Sequence, residues 1–124
     1  MRTLEIPRRY WGDRLDEFSR AHEGWPVQLD ILDDSLGAQS EFRLLSLAGV
    51  TAEPDGGGRI SITATLSSGG YVTHTVHAPV RLLIEQTDAG TDEALAIEAA
   101  DGTKAILHFT IAPAVNGLRR GRCG

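Results

Sequence analysis

The sequence predicts an α+β fold that is mainly β, with an N-terminal helix packed on a strongly bent antiparallel sheet or small barrel of six to seven strands. Three observations carry this expectation. In Arg59–Leu66, read RISITATL, the apolar residues Ile60, Ile62, Ala64 and Leu66 alternate with Arg59, Ser61, Thr63 and Thr65. That period of two belongs to a strand with one apolar and one polar face. Near the N-terminus, Trp11, Leu15, Phe18 and His22 recur at steps of four, three and four. This is the stripe of an amphipathic helix. Near the other end, Asp101-Gly102 separates two alternating runs, and Asp-Gly is a favoured pair for a tight hairpin turn.

In chain order, Met1–Ile6 is short and extended, with Leu4 and Ile6 on one face. Pro7 suits the first turn of a helix, where its missing N–H is no loss. The helix is expected from about Arg8 to Glu23, with Trp11 as its main anchor. Gly24 caps it and Pro26 forbids continuation. Val27, Leu29 and Ile31 then alternate through a strand at Pro26–Asp33, and Asp33–Gly37 is a turn. Gln39–Val50 is strand-like without a clean register: Phe42 and Leu44 point one way, Leu45 and Leu47 the other. A bulge near Leu44–Leu45, or burial on both faces, explains such a switch. Gly49 allows a close approach or a sharp bend.

Glu53–Gly58, with Pro54 and three glycines, is a turn. It lacks the Lys-Ser/Thr and the following helix that a phosphate-binding loop requires. Gly69-Gly70 leads into a strand at Tyr71–Ala78, with Val72, His74 and Val76 on one face and Tyr71, Thr73, Thr75 and His77 on the other. Pro79 marks an edge, bulge or corner. Val80, Leu82 and Ile84 align in the next strand, and an acidic turn spans Asp88–Glu93. The hairpin arms Ala94–Ala99 and Thr103–Ile111 turn Leu95, Ile97, Ala105, Leu107, Phe109 and Ile111 inward. Residues 1–113 are expected to form a single domain. Residues 114–124 are expected to be a disordered Gly/Arg tail.

Composition limits the function classes. A chain of 124 residues can bury about two-thirds of its unfolded surface and needs no disulfide or metal to fold. The net charge is −5. The acids concentrate between Asp30 and Asp101, while most arginines sit at the two chain ends. Nucleic-acid contacts need clustered basic residues, commonly interleaved with aromatics, so nucleic-acid binding is not expected. Cys123 is the single cysteine, which rules out an internal disulfide. No apolar run approaches a membrane span. Charged residues interrupt any signal-peptide core at the N-terminus. A cytoplasmic location is the expectation.

The residues able to carry chemistry are few. His74, His77 and His108, with Tyr71, form the candidate ligand surface. His74 and His77 are three apart, so a flat strand sends them to opposite faces. His74, between two valines, is expected to be partly buried with a backbone partner, and His77 and His108 to be solvated. No His-Glu-x-x-His and no cysteine pair appear, so no metal or cofactor is expected. The acids of Asp30–Asp34 and of Asp88–Glu93 are expected to be solvated turn residues. The serines lack the Gly-x-Ser-x-Gly elbow of a hydrolase. Cys123 lacks a positioned base. No catalytic residue is predicted.

The segments IPRRYW, LDEFSRAHEGWPV, LGAQSEFRLLSLAGV, THTV and TDAGTDEALAIEAADGTKAILHF resemble an uncharacterised bacterial family described as a domain of unknown function of the 5335 series. The resemblance runs to about Phe109 and implies a compact stand-alone domain with no catalytic residue. The order of one helix followed by bent strands also resembles small Sm-like or SH3-like barrels, an analogy of fold that carries no function. Sm-like RNA binders present a basic rim, and this chain has an acidic middle. The expected function is a non-catalytic protein–protein or self-association module, because many strands in a short chain leave exposed edges. The alternatives are a small-ligand or enzymatic barrel using the strand histidines, and a weak nucleic-acid binder.

Overall fold

The computed structural model describes residues 2–33, 37–53 and 58–109. It contains strand β1 (Arg2–Glu5), a 3-10 turn at Arg8–Tyr10, helix α1 (Trp11–His22) and seven further strands. These are β2 (Pro26–Asp33), β3 (Gly37–Ala52), β4 (Arg59–Thr65), β5 (Tyr71–His77), β6 (Pro79–Gln86), β7 (Asp92–Ala99) and β8 (Lys104–Phe109). Seven strands follow the helix, as expected, and one precedes it. All eight join one antiparallel sheet in the order β1-β6-β7-β8-β2-β3-β4-β5. The sheet is strongly curled but does not close into a barrel, so β1 and β5 remain as edges. The described helix is too short and too polar to cross a membrane.

The helix forms where its stripe predicts. Trp11, Leu15, Phe18 and His22 are its buried residues, and they close over the apolar lining of the sheet. Trp11 is 4% exposed, and its indole N–H donates to the Ile6 carbonyl at 2.8 Å. That bond satisfies the one polar atom of a large buried side chain. Ser19 fastens the helix to β3. Its hydroxyl accepts from the Val50 N–H at 2.8 Å and donates to the Val50 carbonyl at 3.0 Å.

The uneven pattern of β3 comes from a bulge. Val27 faces Leu45 while Leu29 faces Phe42, so the register slips between them. Leu44 takes the extra place with φ 54° and is 70% exposed. Phe42, Leu45 and Leu47 can then all turn toward the core. Gly49 follows a second slip, between Leu47 and Gly49 against β4. A Cβ at Gly49 would meet Ser19 Oγ at 3.7 Å, an ordinary contact. Of the two expected roles, the bend is the one present.

Strand β4 buries Ile60, Ile62 and Ala64 and turns its alternate residues outward. In β6 the expected alignment fails at one residue. Val80 is 47% exposed and Pro79 is buried, because the pairing with β7 slips between Pro79 and Arg81. At the N-terminus Ile6 enters the core but Leu4 does not, since β1 is an edge strand. In β7, Ala94 and Ala96 are buried along with Leu95 and Ile97. Both faces of this strand are covered, which a simple in-and-out alternation does not anticipate.

A single residue joins the edge strand β5 to β6, which lies next to the opposite edge of the sheet order. Ala78, with φ 52°, links β5 to β6. Its N–H donates to the Gly58 carbonyl at 3.0 Å, and its carbonyl accepts from Ala100 N–H at 2.9 Å. Those two bonds offset the roughly 1–2 kcal/mol that a left-handed conformation costs a residue with a Cβ. The outer face nearby carries ion pairs of Arg81 with Glu5 (3.1 Å) and Glu98 (3.3 Å), and of Lys104 with Glu98 (3.5 Å). The turn centres around Ser35 and Asp55–Gly57, together with Ile111, Pro113, Arg119 and Cys123, lie outside the described residues.

Candidate functional site

Two places concentrate chemistry, one at each end of the curled sheet. The first is a half-open cavity of about 190 Å³ at the end marked by the Ala78 corner and the β7–β8 turn. Ile31, Val76, Ala99 and Ala105 supply its apolar wall, and His74, His77, Asp101 and Thr103 its polar lining. The strand registers explain this set. Ile31 pairs with Ala105, Ala99 pairs with Pro79, and Val76 pairs with Ile60. Each sits at its strand's end on this side of the sheet.

His74 and His77 therefore share one cavity, although a flat strand would separate them. His74 lies on the inner face, half-buried, with Nδ1 3.9 Å from Glu41 Oε2. The charged neighbour of His74 is a side chain, where a backbone partner was expected. His77 is exposed at the last position of β5, where the chain turns the corner and its side chain reaches the cavity rim. The other two candidates lie elsewhere. Tyr71 opens β5 and is 69% exposed on the outer face. His108 is on the outer face of β8, with Nε2 3.4 Å from Asp30 Oδ2. Asp30 also accepts from the Gln28 amide at 3.0 Å. The four residues do not form one surface.

Asp101 is the rim residue that the sequence presents only as a turn former. The Thr103 hydroxyl and the Thr103 backbone N–H both donate to its Oδ1. Those bonds, the hydroxyl first, hold the carboxyl below its usual range, while nearby Asp33 pushes the other way. The rim thus keeps an ionised carboxylate at neutral pH. Among the described residues, no group of three or more His, Cys, Asp or Glu side chains is placed to hold a metal ion.

The second place is the cluster around His22, at the helix end of the sheet. Its ring is 6% exposed, stacks on Phe109 at 4.5 Å, and lies 4.4 Å from Phe18 and 4.8 Å from Trp25. Nδ1 is 2.8 Å from the Phe18 carbonyl, and Nε2 is 3.4 Å from Asp92 Oδ2. The Gln86 amide donates to Asp92 Oδ1 at 2.7 Å. A His–Asp pair invites comparison with acid–base catalysis, which requires a ring nitrogen within reach of substrate. Here both nitrogens are engaged by the protein itself. The arrangement instead ties the helix C-terminus to the start of β7. Periodicity assigns His22 to the apolar stripe, but nothing local in the sequence points to Asp92 as its partner, because the two are 70 positions apart.

The edge of β5 is the third feature. Leu66 N–H donates to the Gly70 carbonyl at one end of the β4–β5 ladder, and Ala78 N–H to the Gly58 carbonyl at the other. In an antiparallel ladder bonded and non-bonded pairs alternate. Val72, His74 and Val76 therefore direct their backbone groups at β4, and Tyr71, Thr73, Thr75 and His77 direct theirs away from it. Among the described residues no strand pairs on that side. On the outer face, Thr63 and Thr73 hydroxyls meet at 3.0 Å, and those of Ser61 and Thr75 at 3.3 Å.

Comparison with known proteins extends the picture without adding an activity. The chain is similar to an uncharacterized protein of Aquifex aeolicus (strain VF5), 28% identical over 116 residues that cover 93% of this chain and 96% of that one. No solved structure matches it. The profile of the Family of unknown function (DUF5335) matches residues 2–116. That match takes in the helix, all eight strands and both ends of the curled sheet, and the chain belongs to this family.

Proposed function

We propose that the protein is a non-catalytic association module that pairs with a second copy of itself through β5. One observation carries this reading: β5 ends the sheet with the backbone groups of Tyr71, Thr73, Thr75 and His77 turned outward. An exposed strand edge is a template for a further strand. Antiparallel self-pairing centred on His74 matches Tyr71 with the copy's His77 and Thr73 with its Thr75. Every outward residue then has a bonded partner, and the hydroxyl ladder of Thr63, Thr73, Ser61 and Thr75 continues across the new pair. Shifting the register by two residues leaves outward groups unmatched.

The edge carries no proline and no lysine between Tyr71 and His77, the residues that commonly blunt such strands. Thr73→Pro is the direct test. The Thr73 N–H faces away from β4, so proline removes no backbone bond of the existing ladder, drops the Thr63–Thr73 hydroxyl contact, and blocks the added strand. Sedimentation velocity of the full chain is expected to show a dimer that Thr73→Pro converts to monomer, with the circular dichroism spectrum unchanged. A wild-type chain that stays monomeric at high protein concentration would overturn the reading. So would a dimer that Thr73→Pro leaves intact.

A further inference from the structure

The cavity at the open end of the sheet has features that strand pairing does not use. Its walls are Ile31, Val76, Ala99 and Ala105, and its volume is about 190 Å³. An apolar cavity of about 150 Å³ is enough to hold a benzene ring, so this one accommodates a single aromatic ring with a short chain attached. Ligand sites are commonly concave and mostly apolar, with a few polar groups that orient the ligand.

The rim selects the sign of that ligand. Asp101 is exposed, and one of its oxygens takes both bonds from Thr103. Thr103 engages only that one oxygen. Asp33 lies close enough to act on Asp101 electrostatically, and Glu41 stands behind His74 at 3.9 Å. Among the described residues, no lysine or arginine lines the cavity. The one lysine of the sequence, Lys104, is paired with Glu98 at 3.5 Å. A carboxylate rim over an apolar pocket, with no lysine or arginine among its described lining residues, complements a ligand that is apolar at one end and positively charged at the other.

From this juxtaposition we infer that the cavity is a binding site for a small cationic amphiphile, an aryl- or alkylamine. Its apolar body sits against Ile31, Val76, Ala99 and Ala105, and its ammonium group meets Asp101. His74 and His77 border the site and shape its entrance. The inference does not depend on pairing through β5, since the cavity wall is formed within one chain.

Three phenyl-bearing probes that differ in charge test it on the full-length protein by amide-resolved NMR titration: 2-phenylethylamine, 2-phenylethanol and 3-phenylpropionate. The amine is expected to shift the resonances of Ile31, Val76, Ala99 and Ala105 and to bind more tightly than the alcohol, with the carboxylate weakest. Asp101→Asn is expected to weaken the amine about threefold, the scale of an exposed charge pair, and to leave the alcohol unchanged. The substitution lies at an exposed turn, so folding is not at issue. Equal binding of all three probes, an amine unaffected by Asp101→Asn, or shifts confined to residues outside the cavity would each overturn the inference. So would the absence of any shift with the amine.

Discussion

The two ends of the curled sheet are built from different materials. At the end holding the helix C-terminus, Phe18, His22, Trp25 and Phe109 pack ring against ring. At the other end the wall is Ile31, Val76, Ala99 and Ala105, and the turns contribute Asp101 and Thr103. Large rings fill the space between splayed strand ends, whereas alanine and threonine leave it open. The same sheet thus holds a ring-packed end and an end with a cavity. The difference teaches that side-chain size at the strand ends decides which end is filled.

Substitutions at the closed end should be felt as stability, and those at the open end as recognition. The largest effect is expected from Trp11→Ala. It empties a large buried site and orphans the Ile6 carbonyl, and by analogy with other large-to-small core changes it should lower unfolding free energy by about 3–5 kcal/mol. Chemical denaturation measures this, and a loss within error of zero would show that Trp11 does not anchor the helix on the sheet.

A smaller effect is expected from His22→Leu, which keeps bulk between Phe18 and Phe109 but drops both polar partners. Losing the ring-nitrogen contacts with the Phe18 carbonyl and Asp92 should cost about 1–3 kcal/mol. Adding Asp92→Asn should recover part of that loss, because the two residues are coupled. Full additivity in the double variant would show that the His22–Asp92 contact does not tie the helix to β7.

The smallest effect belongs to the open end. The Thr103 donors hold the Asp101 carboxyl below its usual range, so the folded state favours the ionised form. The associated stability is present above the ordinary carboxylate range and disappears as pH falls through the folded value. Asp101 is fully exposed, and solvent screens its interactions. Asp101→Asn should therefore lower thermal stability slightly at neutral pH, with the difference closing in acid. A gap that widens toward acid pH would reverse the assigned role of Thr103.

Much of the fold was legible in the residues themselves. The period of two in RISITATL, the stripe from Trp11 to His22 and the Asp101-Gly102 turn are local patterns, and local patterns state which side of an element is apolar. Even the bulge was visible, as the switch of phase between Phe42–Leu44 and Leu45–Leu47. The exceptions arose where pairing with another strand overruled the local alternation. Val80 turns outward because β6 slips against β7, Leu4 is exposed because β1 is an edge, and both faces of β7 are covered.

The candidate site was legible only in part. His74 and His77 could be named, but their convergence depends on the corner at Ala78, and Asp101 was recognisable only as a turn residue. What the chain determined by itself is the alternation, the helix stripe and the places where the backbone turns, since each depends on residues a few positions apart. What tertiary structure alone decided is the strand order, the open β5 edge, the His22–Asp92 contact and the cavity. Each of those brings together residues tens of positions apart, through registers that no single segment encodes.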